Sequence, residues 1–161
     1  MSSRRLSLAL SATLLLGSAA CHLNRADGGR VDPQRSELLR ELLASYAANA
    51  FDGWRAHVAE DAAASWNNLE MDGVELLAGL AAAHTLFDAI ELKDLRVVTV
   101  ADAGEAATSF ARTMWCATVR SNGARVSLPI QITVDWSGDR IVAFHEVFDN
   151  GALEMAMGAG G

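Results

Sequence analysis

Cysteine, proline and tyrosine are scarce in this 161-residue chain, with two, two and one of each. Two cysteines allow at most one disulfide, which excludes the stapled scaffolds of small exported domains and leaves a hydrophobic core to hold the fold. Positive charge is also thin. Thirteen Lys and Arg stand against twenty Asp and Glu, and the arginines are scattered singly. With no basic patch to offset a net charge of −7, phosphate backbones are repelled and nucleic-acid binding is not expected. No Gly-rich phosphate loop follows a strand, and no Gly-x-Ser-x-Gly elbow occurs. The histidines show no His-x-His or His-x-x-x-His pair beside a carboxylate, and no Cys pair accompanies them. No metal and no cofactor are therefore expected.

What is present begins with a leader. Arg4 and Arg5 precede the apolar run Leu6 to Leu16, and the small residues Gly17, Ser18, Ala19 and Ala20 lead directly to Cys21. This is the three-part layout of a secretory signal over residues 1–20, and its apolar run is too short to span a bilayer. The stretch Gly17-Ser18-Ala19-Ala20-Cys21 resembles the lipobox of bacterial lipoproteins, with Ser18 where Leu is usual. Ordinary cleavage after Ala20 also fits Ser18-x-Ala20, but it has no need of a Cys at that position, so Cys21 is the expected lipidated residue. His22, rather than Asp, resembles lipoproteins sent on to the outer membrane. The expectation is an exported protein anchored to a bacterial membrane through lipid alone, facing the periplasm or the exterior. Residues 21–32 read as a polar tether, residues 33–155 as the folded domain and 156–161 as a frayed tail. Loss of Arg4 and Arg5 takes the charge to about −9. Lipidation would leave Cys116 unpaired, and its place in an apolar strand reads as a small buried hydrophobe rather than a nucleophile.

Asp32-Pro33 is an N-cap followed by proline at the first helical position, and Leu38, Leu39, Leu42, Leu43, Tyr46 and Ala47 continue at helical spacing to about residue 49. Asp52-Gly53 opens a shorter helix with Trp54 and Val58, and residues 64–68 read as a short strand or extended loop. Asp72-Gly73-Val74-Glu75 is a capping-box pattern ahead of a third helix, which carries Leu76, Leu77, Leu80, Ala81, His84 and Phe87 on one face. The period then changes from helical to alternating. Strands are expected over about 93–101, 105–120, 124–136 and 140–149, with Ser121-Asn122-Gly123 a strong hairpin signal. Pro129 marks an edge or a bulge. Helices first and a meandering sheet afterwards give an α+β domain, with three N-terminal helices packed on one face of a strongly curved, mostly antiparallel sheet. Such a sheet closes over a cone-shaped cavity.

The order of elements, together with Ser127-Leu128-Pro129-Ile130, Trp136-Ser137-Gly138-Asp139-Arg140-Ile141 and the closing His145-Glu146-Val147-Phe148-Asp149, resembles the SnoaL-like branch of the nuclear transport factor 2-like superfamily. The last two strands are similar to those of the limonene epoxide hydrolases. That likeness puts the final-strand carboxylate on Glu146 and the water-holding Asn on Asn67 or Asn68. The family's Arg-x-Asp has no counterpart, because Trp115-Cys116-Ala117 stand in its place. The catalytic Asp of the related ketosteroid isomerases, expected near Trp66, is missing too. Fold does not carry activity with it.

In a regular last strand Val142, Phe144, Glu146 and Phe148 share one face. Facing the cavity, Glu146 would lie between aromatic rings, and desolvation would raise its pKa towards a range useful for proton transfer. The alternative is a structural ion pair with Arg112 on a neighbouring strand. His84, on the apolar stripe of helix three, is the second candidate acid/base group unless it is a packing residue. His145 should point outward. Candidate ligand contacts are Trp66, Asn68, Phe87, Phe110, Arg112, Phe144 and Phe148. An apolar pocket with one or two polar groups suits a small uncharged hydrophobic molecule. Three readings follow: a lipoprotein that holds such a molecule without turnover, a cofactor-free acid/base enzyme of the isomerase, cyclase or epoxide hydrolase type using Glu146 with His84 or Asn67, and a homodimeric interaction module.

Overall fold

A computed structural model describes residues 29–102 and 104–158. The leader, Cys21, His22 and residues 159–161 lie outside them. The first helix, α1 (Pro33–Ala47), starts as its sequence requires: Asp32 accepts from the Arg35 N–H at 3.0 Å, and Pro33 occupies the first turn. Its buried face carries Leu39, Leu42, Leu43 and Tyr46. A short helix α2 (Asp52–His57) presses Trp54 into the core, where its indole donates to the Leu42 carbonyl at 2.7 Å. Helix α3 (Gly73–Leu86) has a complete capping box between Asp72 and Glu75, which satisfies N–H groups that a helix start leaves unpaired.

The strands are β1 (Arg30–Val31), β2 (Val58–Trp66), β3 (Leu69–Met71), β4 (Phe87–Ala101), β5 (Ala106–Val119), β6 (Arg125–Ser137) and β7 (Arg140–Val147). They form one sheet in the order β1-β4-β5-β6-β7-β2-β3, antiparallel except where β2 runs parallel to β7. The α+β architecture, with helices on one face of a curved and open sheet, is the one expected. The bend has a local cause. In β4 the register slips between Asp88 and Glu91 and again between Lys93 and Arg96. Ala89 and Asp94 sit at those slips with φ of 51° and 54°, and such bulges increase twist and fold a sheet over on itself. Inside the bend the core is apolar, with Val126, Leu128, Ile130, Ile132, Val134 and Trp136 of β6 all buried, as the alternation required.

Several boundaries differ from the sequence reading. Val58 and Phe87 do not continue helices but open β2 and β4, since both are branched or aromatic residues that pack on a pleated surface. Arg30 and Val31, read as tether, pair with Ala101 and Val100 as an edge strand. Beyond β7 an unanticipated helix α4 (Asn150–Gly158) covers residues read partly as frayed tail. Its carbonyls at Ala156 and Met157 accept from the Asn122 amide. Pro129 belongs to a central strand, yet β7 begins to pair only at Gln131, so the proline sits at a locally open edge where a missing N–H is tolerated.

Candidate functional site

The inner face of the sheet, α3 and α4 enclose a cavity of about 270 Å³. The small residues Gly79, Ala82 and Ala83 of α3 form one wall, and Trp115, Leu128 and Ile130 form the sheet side. Leu86 and Met157 line it while remaining 47% and 41% exposed, which puts its mouth between the end of α3 and α4. The lining is apolar apart from the side chains of Glu146, Tyr46 and the Trp66 indole.

Glu146 reaches this position because β7 is irregular. Register is lost between Asp135 and Trp136, so Ala143 faces Asp135 and Ile141 faces Trp136, with Val142 left over. Val142 is thereby turned outward, 39% exposed, while Ile141 and Phe144 are buried. This corrects the regular strand that placed Val142 on the cavity face. Past the bulge Phe144 and Glu146 point inward. Burial in the apolar cavity pushes the Glu146 carboxyl up to about 7, and the Trp66 indole partly opposes that rise. Glu146 keeps some accessibility because it lines the cavity, and the packing around it still strips most of its hydration.

Arg112 does not pair with it. Residues of β5 alternate, and Arg112 lies exposed on the outer face beside Arg96 and Gln131. Phe110 shares that outer face, 49% exposed, so neither reaches the cavity. Cys116 also faces outward, half-buried, with its sulfur 3.3 Å from the Ser127 hydroxyl, rather than being a core hydrophobe. His84 does not line the cavity. Its Nε2 donates to the Tyr46 carbonyl at 2.8 Å, and its ring packs edge-on against Tyr46 and Phe51. Asn67, at φ 51°, is a clasp: its Oδ1 accepts from the Phe148 N–H and its amide donates to Asn150. Asn67 and Asn68 border a polar outer hollow beside Ser65 and His145, not the cavity. His145 points outward, 2.8 Å from the Ser65 hydroxyl. Trp66, Phe87 and Phe148 line the cavity, whereas Phe144 borders a smaller void of about 20 Å³ behind Glu146.

Three lining residues lie outside the expected site. Tyr46, which by sequence only continues the apolar spacing of the first helix, accepts a hydrogen bond from the Trp115 indole at 3.1 Å, and its hydroxyl proton has no acceptor among the described residues. Burial and the nearby Glu146 push its pKa up to about 12, with the Trp115 bond opposing, so it stays a neutral donor at physiological pH. Leu153 and Met157 of α4 complete the lining. No group of three His, Cys, Asp or Glu side chains that could hold a metal ion occurs among the described residues. Nor is any described helix long and apolar enough to cross a membrane.

No protein-family model and no curated protein matches the chain. Solved structures do. A Bacillus subtilis protein assigned as an isomerase superimposes with a TM-score of 0.65 at 15% identity, over 78% of this chain and 94% of that one. A polyketide cyclase assignment from Xanthomonas campestris gives 0.61 at 16%, over 77% and 97%. An epoxide hydrolase of the limonene epoxide hydrolase type from M. tuberculosis gives 0.58 at 14%, over 80% and 92%. At these identities the likeness establishes the fold alone: the chain has the nuclear transport factor 2-like cone.

Proposed function

We propose that this chain is a cofactor-free acid/base protein that takes a small, uncharged, apolar carbonyl compound into the cone and moves a proton on it. The observation that carries this reading is a carboxyl group set in an apolar cavity with no cationic partner among the described residues. Glu146 accepts a proton from the carbon beside the carbonyl and returns it elsewhere on the molecule. A carboxyl titrating near neutrality is suited to both halves of that exchange. Negative charge grows on the carbonyl oxygen during the first half, and Tyr46 offers it a preorganised O–H donor. The Trp115 N–H on the Tyr46 oxygen polarises that O–H further. Epoxide hydrolysis has less support, because it needs an acid stronger than Tyr46 to protonate the epoxide oxygen, and the inward positions of β5 hold Thr113, Trp115 and Ala117. Isomerase and cyclase assignments among similar structures agree with a small-molecule site in this fold.

The test is a screen of the purified folded chain against small cyclic ketones and epoxides, with native mass spectrometry for retained molecules. Glu146→Gln abolishes turnover and keeps binding; unchanged turnover in that variant refutes the acid/base role. Retention without turnover by the unaltered protein supports a second reading, holding a ligand without chemistry, which is favoured by the absence of His84, Asn67 and Arg112 from the cavity. The outer face supports a further element, pairing with a second copy: Val98 and Phe110 are cross-strand neighbours, 45% and 49% exposed. Sedimentation velocity of Phe110→Ser against the unaltered chain tests it. For location we propose export and lipid anchoring through Cys21, tested by loss of membrane association in Cys21→Ser.

A further inference from the structure

Trp66 is the last residue of β2 and stands in register with Glu146 on β7, so the indole and the carboxyl spring from adjacent strands. The far edge of that indole rests on the backbone of α3 at Gly79. A Cβ built on Gly79 would stand 2.7 Å from Trp66 Cζ3, 3.2 Å from Cζ2 and closer still to Cη2. Contacts this short require the ring to move. Nothing in the helix itself asks for glycine here: Gly79 is in the interior of α3, where glycine weakens a helix relative to alanine, and its φ is not in the left-handed region. What glycine provides is room. The other end of the indole, Nε1, is buried and has no formed hydrogen bond among the described residues. It lies close enough to Glu146 to lower that group's pKa, with geometry short of a good bond. Donors at reaction sites are often loosely aligned until the reacting molecule binds.

We propose that Gly79 is a seat for the Trp66 indole, and that the seated indole is a positioning residue which holds its N–H against Glu146 and fixes the depth of the cavity. This rests on the acid/base reading of Glu146. An indole N–H can only donate, so in this seat it favours the ionised carboxylate, the form that accepts a proton. A side chain at position 79 would tip the ring into the cavity, withdraw the donor and shorten the space available to the bound molecule.

The seat is read directly from the indole N–H resonance of Trp66 in ¹⁵N-labelled protein, identified by its disappearance in Trp66→Phe. In the unaltered chain this resonance is expected to titrate with a midpoint near 7, and Glu146→Gln is expected to abolish that step. In Gly79→Ala the midpoint is expected to rise by about one pH unit, a tenfold change in the ionisation constant, with the acid limb of ketone turnover moving by the same amount. Adding Gly79→Ala to Trp66→Phe is expected to move that limb no further, since Phe does not reach the seat. A Gly79→Ala protein whose indole titration is unchanged overturns the proposal, and so does a shift of equal size in the Trp66→Phe background. Should Gly79→Ala fail to fold, Trp66→Phe decides alone: an acid limb moved upward supports the seat, and an unmoved one overturns it. Failure of the acid/base reading looks different, because it leaves turnover intact in Glu146→Gln whatever the indole does.

Discussion

Replacing Glu146 with Gln is expected to stabilise the fold at neutral pH while changing little in mild acid. The carboxyl has an ordinary value of 4.5 and is raised to about 7 by burial in the folded protein. Below pH 4.5 it is protonated in both folded and unfolded chains and contributes no penalty. As pH rises from 4.5 through 7, the unfolded chain gives up its proton first, and folded stability falls until the folded carboxyl has ionised too. A shift of this size corresponds to about 3 kcal/mol, and partial water access through the cavity trims it to about 2 kcal/mol. The isosteric amide has no charge to desolvate, so above pH 7.5 the variant gains that amount. For a domain of this size the gain is roughly 8 °C in Tm. Thermal unfolding followed by circular dichroism between pH 4 and 8.5 measures it, and other titrating groups cancel in the difference. The difference curve is expected to be flat in acid and to climb to a plateau above neutrality. A flat curve throughout, or a variant less stable at pH 8, refutes the account, since either would mean that the carboxylate is paired or well hydrated.

Tyr46→Phe removes the O–H donor and is expected to lower kcat by roughly 10²–10³, while stranding the Trp115 indole at a cost of about 1–2 kcal/mol in a denaturant titration. Arg112→Ala, on the outer face, is expected to leave the pH profile unchanged and stability within about 0.5 kcal/mol. Were Arg112 the partner of Glu146, the same substitution would raise the carboxyl midpoint. Leu153→Ala thins the α4 wall of the cavity and is expected to weaken binding of a retained apolar molecule about tenfold by titration calorimetry.

The elements whose sequences carry local chemistry were legible from the outset. Asp32-Pro33 and the Asp72/Glu75 box place two helix starts where the structure has them, and the strict alternation of β6 identifies the inner face of the sheet. Where local pattern and tertiary packing diverge, the sequence is silent. The β7 bulge that turns Val142 outward depends on pairing with β6 and leaves no mark on the strand's own composition. Ala89 and Asp94, at positive φ, are not residues that announce a bend in isolation. Asp149, which by pattern ends the last strand, instead caps helix α4 by accepting from the Ala152 N–H at 3.1 Å, and Asn122 and Asn67 hold that helix from other parts of the chain. Glu146 was identifiable because a carboxylate interrupts an apolar strand end. Tyr46 was not, because on α1 it continues the leucine stripe and only the fold brings it to the cavity that Glu146 lines.

The most direct test of the central claim is hydrogen exchange on a bound ketone. A neutral cyclic ketone that the protein retains in native mass spectrometry is incubated with it in D₂O, and deuterium entry beside the carbonyl is followed by NMR. The account predicts exchange faster than in buffer, with an acid limb near pH 7 and loss of the acceleration in Glu146→Gln. Exchange of the retained ketone at the buffer rate, or at the same rate with Gln at position 146, contradicts it.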